Sequence, residues 1–228
     1  SNIFSFNKKT LHKSVASLKK GNVVGLPTET VYGLAGNAYS KKAVKKIYNL
    51  KKRPKKNPLI VHYLNFDSAK HDVIFNDNFY KLYKKFCPGP ITFVLKKKIT
   101  SKIQPLVTAN LDTVAIRFPK HNITRSVLKK INFPLAMPSA NLSSGISPIN
   151  AFDVYDEFKK KIKIIINGGK SKIGIESTVI SLIRKPKILR LGVIEAKKIS
   201  KFFKISFLKN GSKIRSPGLL KRHYSPGI

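Results

Sequence analysis

Short runs rich in Val and Ile, separated by segments of helical period and never repeated, constrain this chain more than any other feature. Residues 22–26, 59–63, 91–95, 113–117, 135–137, 162–166, 177–183 and 187–191 read as strands bounded by Gly, Pro or Asn. Between them, Leu11, Val15 and Leu18, then Val44, Ile47 and Leu50, then Phe79, Leu82, Tyr83 and Phe86 recur at the spacing of one helix face. Residues 124–130, 152–160 and 195–203 read as further helices, Ser40 stands where an N-cap is needed, and Gly21 where a helix must end. Such alternation predicts an α/β fold, a single twisted mixed sheet with flanking helices. The domain is expected over 1–208. Residues 209–228, with Ser216-Pro217-Gly218 and Ser225-Pro226-Gly227, read as a linker or lid.

Charge is the second constraint. Forty-six Lys and Arg face only 10 Asp and Glu, a net charge of +36. Attraction to nucleic-acid phosphates is one reading. Basic residues are spread along the whole chain, however, and nearly all are Lys, so the charge reads first as compositional background. Only seven arginines occur: Arg53, Arg117, Arg125, Arg184, Arg190, Arg215 and Arg222. A guanidinium is planar, bidentate and always charged, so these positions say more than the lysines do. The single cysteine, Cys87, excludes an internal disulfide and fits a reducing cytoplasm. The five His lack metal-ligand spacing, and no apolar run nears the ~18 residues of a spanning helix. No direct metal site and no membrane partner are expected.

Several strand-end segments carry chemistry. Lys51-Lys52-Arg53-Pro54-Lys55-Lys56-Asn57-Pro58 sets cations between a helix and an apolar strand, where open α/β sheets bind ligands. Phosphate contacts from Lys51 and Arg53 would stabilise charge developing in nucleotidyl transfer. Pro138-Ser139-Ala140-Asn141 ends another strand; alone it is an ordinary turn, and only in combination does it suggest a site. Pro27-Thr28-Glu29-Thr30 reads as a ligand loop. Glu29 and Glu176 stand out among so few acids, and each either holds Mg²⁺ through water or pairs with a lysine. Arg117, ending its strand, is placed to grip a carboxylate bidentately. No Walker-type loop and no dinucleotide glycine fingerprint occurs, so any ATP site is of another kind.

Taken in order, these segments resemble the YrdC-like family of L-threonylcarbamoyladenylate synthases over nearly the whole chain. The carriers are Leu26-Pro27-Thr28-Glu29-Thr30-Val31-Tyr32-Gly33-Leu34, Lys51-Lys52-Arg53-Pro54 with Asn57-Pro58-Leu59, and Cys87-Pro88-Gly89-Pro90. Pro138-Ser139-Ala140-Asn141, Glu176-Ser177-Thr178-Val179 and Ile188-Leu189-Arg190 complete the set. The resemblance implies a nucleotidyltransferase that condenses L-threonine, bicarbonate and ATP, with Mg²⁺ on the nucleotide, into threonylcarbamoyl-AMP and pyrophosphate. It further implies a downstream tRNA threonylcarbamoyl transferase that places the group as N6-threonylcarbamoyladenosine in tRNA. The family's catalytic tetrad falls on Lys51, Arg53, Ser139 and Asn141. Thr30, His62, Arg117, Ser139 and Ser177 would surround threonine. Lys51, Arg53, Asn57, Thr113, Asn141, Ser147 and Arg190 would hold ATP. The tail with Arg222, His223 and Tyr224 resembles the linker between the synthase domain and a C-terminal domain in two-domain members, and this chain stops there. Leu191 departs from the family, many of whose members have Pro there, and is expected to loosen the loop that presents Arg190.

Two competitors remain on the sequence. One is an RNA-binding module of the same fold without catalysis, favoured by charge. The other is a carbamoyl-handling domain of the hydrogenase-maturation type, which would bring zinc-finger and acylphosphatase segments for which this chain has no room.

Overall fold

A computed structural model describes residues 2–207; the linker or lid expected over 209–228, with Arg222, His223 and Tyr224, lies outside the described residues. The chain runs β1 (Ile3–Ser5), α1 (Lys8–Lys19), β2 (Val24–Leu26), β3 (Gly33–Asn37), α2 (Lys41–Lys51), β4 (Ile60–His62), α3 (Phe66–Ala69) and β5 (Val73–Ile74). It continues through α4 (Asp77–Phe86), β6 (Ile91–Lys97), β7 (Thr113–Arg117), α5 (Asn122–Lys129), β8 (Leu135–Ala136) and α6 (Ala151–Phe158). The last elements are β9 (Ile165–Asn167), β10 (Thr178–Ser181), β11 (Lys187–Arg190), α7 (Ala196–Ser200) and β12 (Ser206–Phe207). Among the described residues no helix is long and apolar enough to cross a membrane.

The strands join one mixed sheet in the order β1-β9-β2-β3-β8-β4-β7-β6-β10-β11-β12, with β5 against β6, as the alternation predicts. Local signals explain where the helices begin and end. The side chains of Asn7, Ser40, Asn76 and Asn150 accept from backbone N–H groups in the first turns of α1, α2, α4 and α6. Gly21 takes φ +73° just beyond α1. Strand β3 was not expected: Gly33-Leu34-Ala35-Gly36-Asn37 has weak strand propensity, and pairing with β2 on one side and β8 on the other makes it a strand. The short β1, α3, β5 and β12 also fell below what periodicity detects.

Two apolar layers hold helices to the sheet, one around Ile47, Phe79, Phe93 and Phe118, the other around Leu18, Leu26, Val127 and Met137. A third small cluster, Ile60, Val94, Ala115, Val179 and Leu189, draws on strands β4, β6, β7, β10 and β11 alone. Because strand side chains alternate, the face that carries Ile60 also carries His62, and the face that carries Ala115 also carries Thr113 and Arg117. The register His62↔Arg117 and Arg117↔Thr92 sets these polar groups side by side at one end of that face.

Candidate functional site

At this end of the sheet, loops after β2, α2, β8 and β9 converge with the end of β11 around a cavity holding about 510 Å³ of atom-free space, part of it open to solvent. Backbone pairing fixes the first and third loops together. Gly33 bridges Ser139, Leu34 N–H donates to Pro138 O at 2.9 Å, and Ala140 N–H donates to Tyr32 O at 2.9 Å. The approach is close enough to require glycine at position 33, where a Cβ would overlap Met137 Cγ and lie 2.9 Å from its Sδ. The Tyr32 hydroxyl donates to Gly169 O (2.7 Å) and accepts from Gly168 N–H (3.0 Å), tying in the β9–β10 loop.

Of the residues expected around threonine, Thr30, His62, Arg117, Ser139 and Ser177 all line the cavity. Arg117 is buried; its Nη2 donates to Glu29 Oε1 at 2.8 Å, while its Nε has no hydrogen-bond partner. Glu29 Oε2 in turn accepts from Lys120 N–H at 3.0 Å. Burial alone would raise the Glu29 carboxyl, but the charge and hydrogen bond of Arg117, with backbone N–H groups, hold it below the ordinary carboxylate range. His62 is pushed well below the usual imidazole value, first by burial and then by Arg117, so it is neutral at physiological pH. Its Nδ1 is buried without a partner. Ser177 Oγ lies 2.7 Å from Thr92 Oγ1, and Thr30 Oγ1 lies 2.8 Å from Thr28 Oγ1.

Of those expected around ATP, Arg53 and Arg190 line the same cavity. Arg53 folds back on its own loop, donating to Asn57 O (3.0 Å), Asn57 Oδ1 (2.7 Å) and Pro58 O (2.7 Å). Asn57 thus sits behind Arg53 as its brace. Arg190 donates to Ser177 O (3.2 and 2.9 Å) and pairs with Glu176. Ser147 Oγ donates to the other Glu176 oxygen at 3.0 Å. Both glutamates therefore pair with arginine. The side chain of Leu191 is 62% exposed, while Gly192 packs on the Glu176–Thr178 backbone so closely that a Cβ would lie 2.6 Å from Thr178 N. Arg190 itself is held by its bonds to Ser177 and Glu176.

Five of the seven ATP-side expectations lie outside the cavity lining: Lys51, Asn57, Thr113, Asn141 and Ser147. Thr113 shares its strand face with Arg117 about 13 Å further along β7, at ~3.3 Å per residue. Lys51 is 1% exposed, and its Nζ donates to Ser139 O at 2.6 Å, to Asn141 O, and toward Asn141 Oδ1 at 3.4 Å. Burial, followed by the nearby Arg53 charge, pulls this ammonium down to about 7. Asn141 Nδ2 donates to Leu142 O (2.8 Å) and Gly145 O (2.7 Å), closing the loop on itself. Sequence reasoning missed Tyr32, Ile60 and Met137 as walls, and the Ser143 hydroxyl, which is buried without a partner. Alternation on β4 would have found Ile60.

Three arginines, the hydroxyls of Thr30, Ser139 and Ser177, and a neutral imidazole on one cavity suit a polyanion beside a small polar molecule. No group there is a strong nucleophile. Cys87 lies outside the lining, and burial pushes its thiol up to about 12. No group of three or more His, Cys, Asp or Glu placed to hold a metal occurs among the described residues, and Glu29 and Glu176 are both engaged by arginine.

A family model described as telomere recombination, for Sua5, YciO and YrdC, matches residues 16–192. The threonylcarbamoyl-AMP synthase of Pyrococcus abyssi is 40% identical over 220 residues, 92% of this chain and 63% of that protein. Its Bacillus subtilis counterpart is 39% identical over 230 residues, 97% of this chain and 66% of that protein. The crystal structure of P. abyssi Sua5 complexed with L-threonine superposes with a TM-score of 0.93 at 36% identity, covering 99% of this chain and 69% of that one. The chain thus spans a little under two thirds of the two synthases it matches.

Proposed function

The chain belongs to the Sua5/YciO/YrdC family, and from that premise we propose that it is an L-threonylcarbamoyladenylate synthase. It joins L-threonine, bicarbonate and ATP into threonylcarbamoyl-AMP and pyrophosphate. The observation that carries the reading is the convergence of Arg53, Arg117 and Arg190 on one cavity with His62 and the hydroxyls of Thr30, Ser139 and Ser177, the Arg117 Nε being buried without a partner. Buried polar atoms without partners in a native site call for a ligand to complete them. Arg117 Nε–H and its remaining nitrogen suit the threonine carboxylate, with Thr30, His62, Ser139 and Ser177 around the rest of the amino acid. Arg53 and Arg190 take the nucleotide phosphates, Asn57 and Ser147 bracing them through the contacts described. Thr113 and Asn141 stand on the ATP side.

The chemistry asks for little else. The threonine ammonium gives up a proton, and the free amine adds to the carbon of bicarbonate with loss of water to give a carbamate. A carbamate oxygen attacks the α-phosphorus, and the bond to the bridging oxygen breaks with its electrons going to pyrophosphate. Bringing three reactants together and neutralising phosphate charge accounts for such a reaction without a nucleophilic side chain. Mg²⁺ enters this reading as part of the nucleotide substrate, since the described side chains offer it no direct ligand set. The product would pass to a tRNA threonylcarbamoyl transferase in the cytoplasm.

Pyrophosphate release tests the proposal. It should require both threonine and bicarbonate, and Arg53→Ala should abolish it. ATP turnover indifferent to threonine would refute it. The net charge of +36 supports RNA contact through the basic surface beside catalysis. Salt-sensitive RNA binding without any nucleotide binding would instead favour a non-catalytic RNA module.

A further inference from the structure

We infer that Lys51 is a positioning residue that shapes the loop carrying Ser139 and Asn141, and that it is not a ligand of the triphosphate. The inference rests on the synthase reading of the cavity. An ammonium has three N–H donors and no acceptor. Around Lys51 Nζ stand three oxygens of one loop: the Ser139 carbonyl at 2.6 Å, the Asn141 carbonyl, and Asn141 Oδ1 at 3.4 Å. The backbone of the same lysine is engaged as well, its carbonyl accepting from Ser143 N–H at 2.9 Å. The loop from 139 to 143 is therefore wrapped around both ends of one residue.

Position and burial agree with this. Lys51 is the last residue of α2, followed by Lys52 in a left-handed conformation, and its stem runs into the protein instead of out over the cavity. It is 1% exposed and absent from the cavity lining, whereas Ser139, whose carbonyl it holds, lines the cavity. A phosphate oxygen could reach this ammonium only by displacing a buried carbonyl, which would then lack a donor. Arg53 and Arg190, unlike Lys51, line the cavity and are placed to meet phosphate.

Calorimetric titration of the full chain with ATP, AMP and L-threonine tests the inference, using Lys51→Met, which keeps the stem and removes the donors, and Lys51→Arg, which keeps donors. Lys51→Met should weaken L-threonine binding by about tenfold or more while leaving the ATP-to-AMP affinity ratio within about threefold of wild type. Lys51→Arg should recover part of the threonine affinity. A ratio that collapses by about tenfold would make Lys51 a phosphate ligand and overturn the inference. Unchanged threonine affinity in a folded Lys51→Met would reduce the clamp to a stability device and overturn it too. Should Lys51→Met not fold, the ¹⁵Nζ resonance of Lys51 in the wild-type protein decides. It should move little on addition of pyrophosphate and more on addition of threonine; the reverse order refutes the inference. If the wild type binds neither ATP nor threonine, the synthase reading fails, and the pyrophosphate response still tests the clamp.

Discussion

Arg117 and Glu29 show how one buried pair prepares a site. Glu29 engages Arg117 through Nη2, and the Arg117 Nε is buried without a partner. A carboxylate needs the rigid fork of a guanidinium for two-point recognition, and an ammonium does not replace it. Arg117→Lys should therefore lower threonine affinity by about 10- to 100-fold, with a smaller effect on ATP, measured by titration calorimetry. Equal losses for both ligands would contradict the assignment. The pair also sets a pH response. The Glu29 carboxyl titrates below its ordinary value of 4.5 in the fold, so its stabilising contribution is present above 4.5 and lost as pH falls through the lower folded value. Thermal melts of Glu29→Gln should lose less Tm than wild type between about pH 5 and pH 3. Parallel curves would show that the pair contributes nothing to acid sensitivity. Neither pair was legible in sequence. Glu29 lies 88 residues from Arg117, and both glutamates read equally well as Mg²⁺ ligands or lysine partners.

At the scale of elements, the site depends on β3 lying flush against the loop after β8. Gly33 permits that contact, since a Cβ there would overlap the Met137 side chain. Gly33→Ala should destabilise the protein by about 1–3 kcal/mol through overpacking. Combining it with Met137→Ala, which opens the space, should give a double mutant about 1 kcal/mol or more stabler than the sum of the single changes. Denaturant unfolding of the four proteins measures this coupling, and strict additivity would contradict it. Helices and long strands were readable because caps and periodicity are local. Ser40 caps α2 as expected, and β7 occupies residues 113–117 as expected. β3 was not readable, because its strand character comes from neighbours on both edges and not from its two glycines. Lys51 shows the same limit in a side chain: the sequence reads it as a cation for phosphate, and its burial against the loop after β8 was not readable.

Across the whole molecule, strand alternation connects fold to function. The sheet puts Thr113, Ala115 and Arg117 on one face, with Ile60 and His62 beside them, so Arg117, Ile60 and His62 reach the cavity from strands already fixed by the core. Basic residues run along the whole chain, whereas three of the five arginines among the described residues meet at one cavity. That concentration is what distinguishes the site from the background of lysines. The proposed synthase chemistry would give a product in which the carbon of bicarbonate joins threonine to AMP. Mass spectrometry of a reaction supplied with ¹³C-bicarbonate, L-threonine and ATP is the most direct test. The account predicts a threonine–AMP adduct carrying the ¹³C label, formed together with pyrophosphate. An unlabelled adduct, or pyrophosphate released with AMP and no adduct, would contradict it.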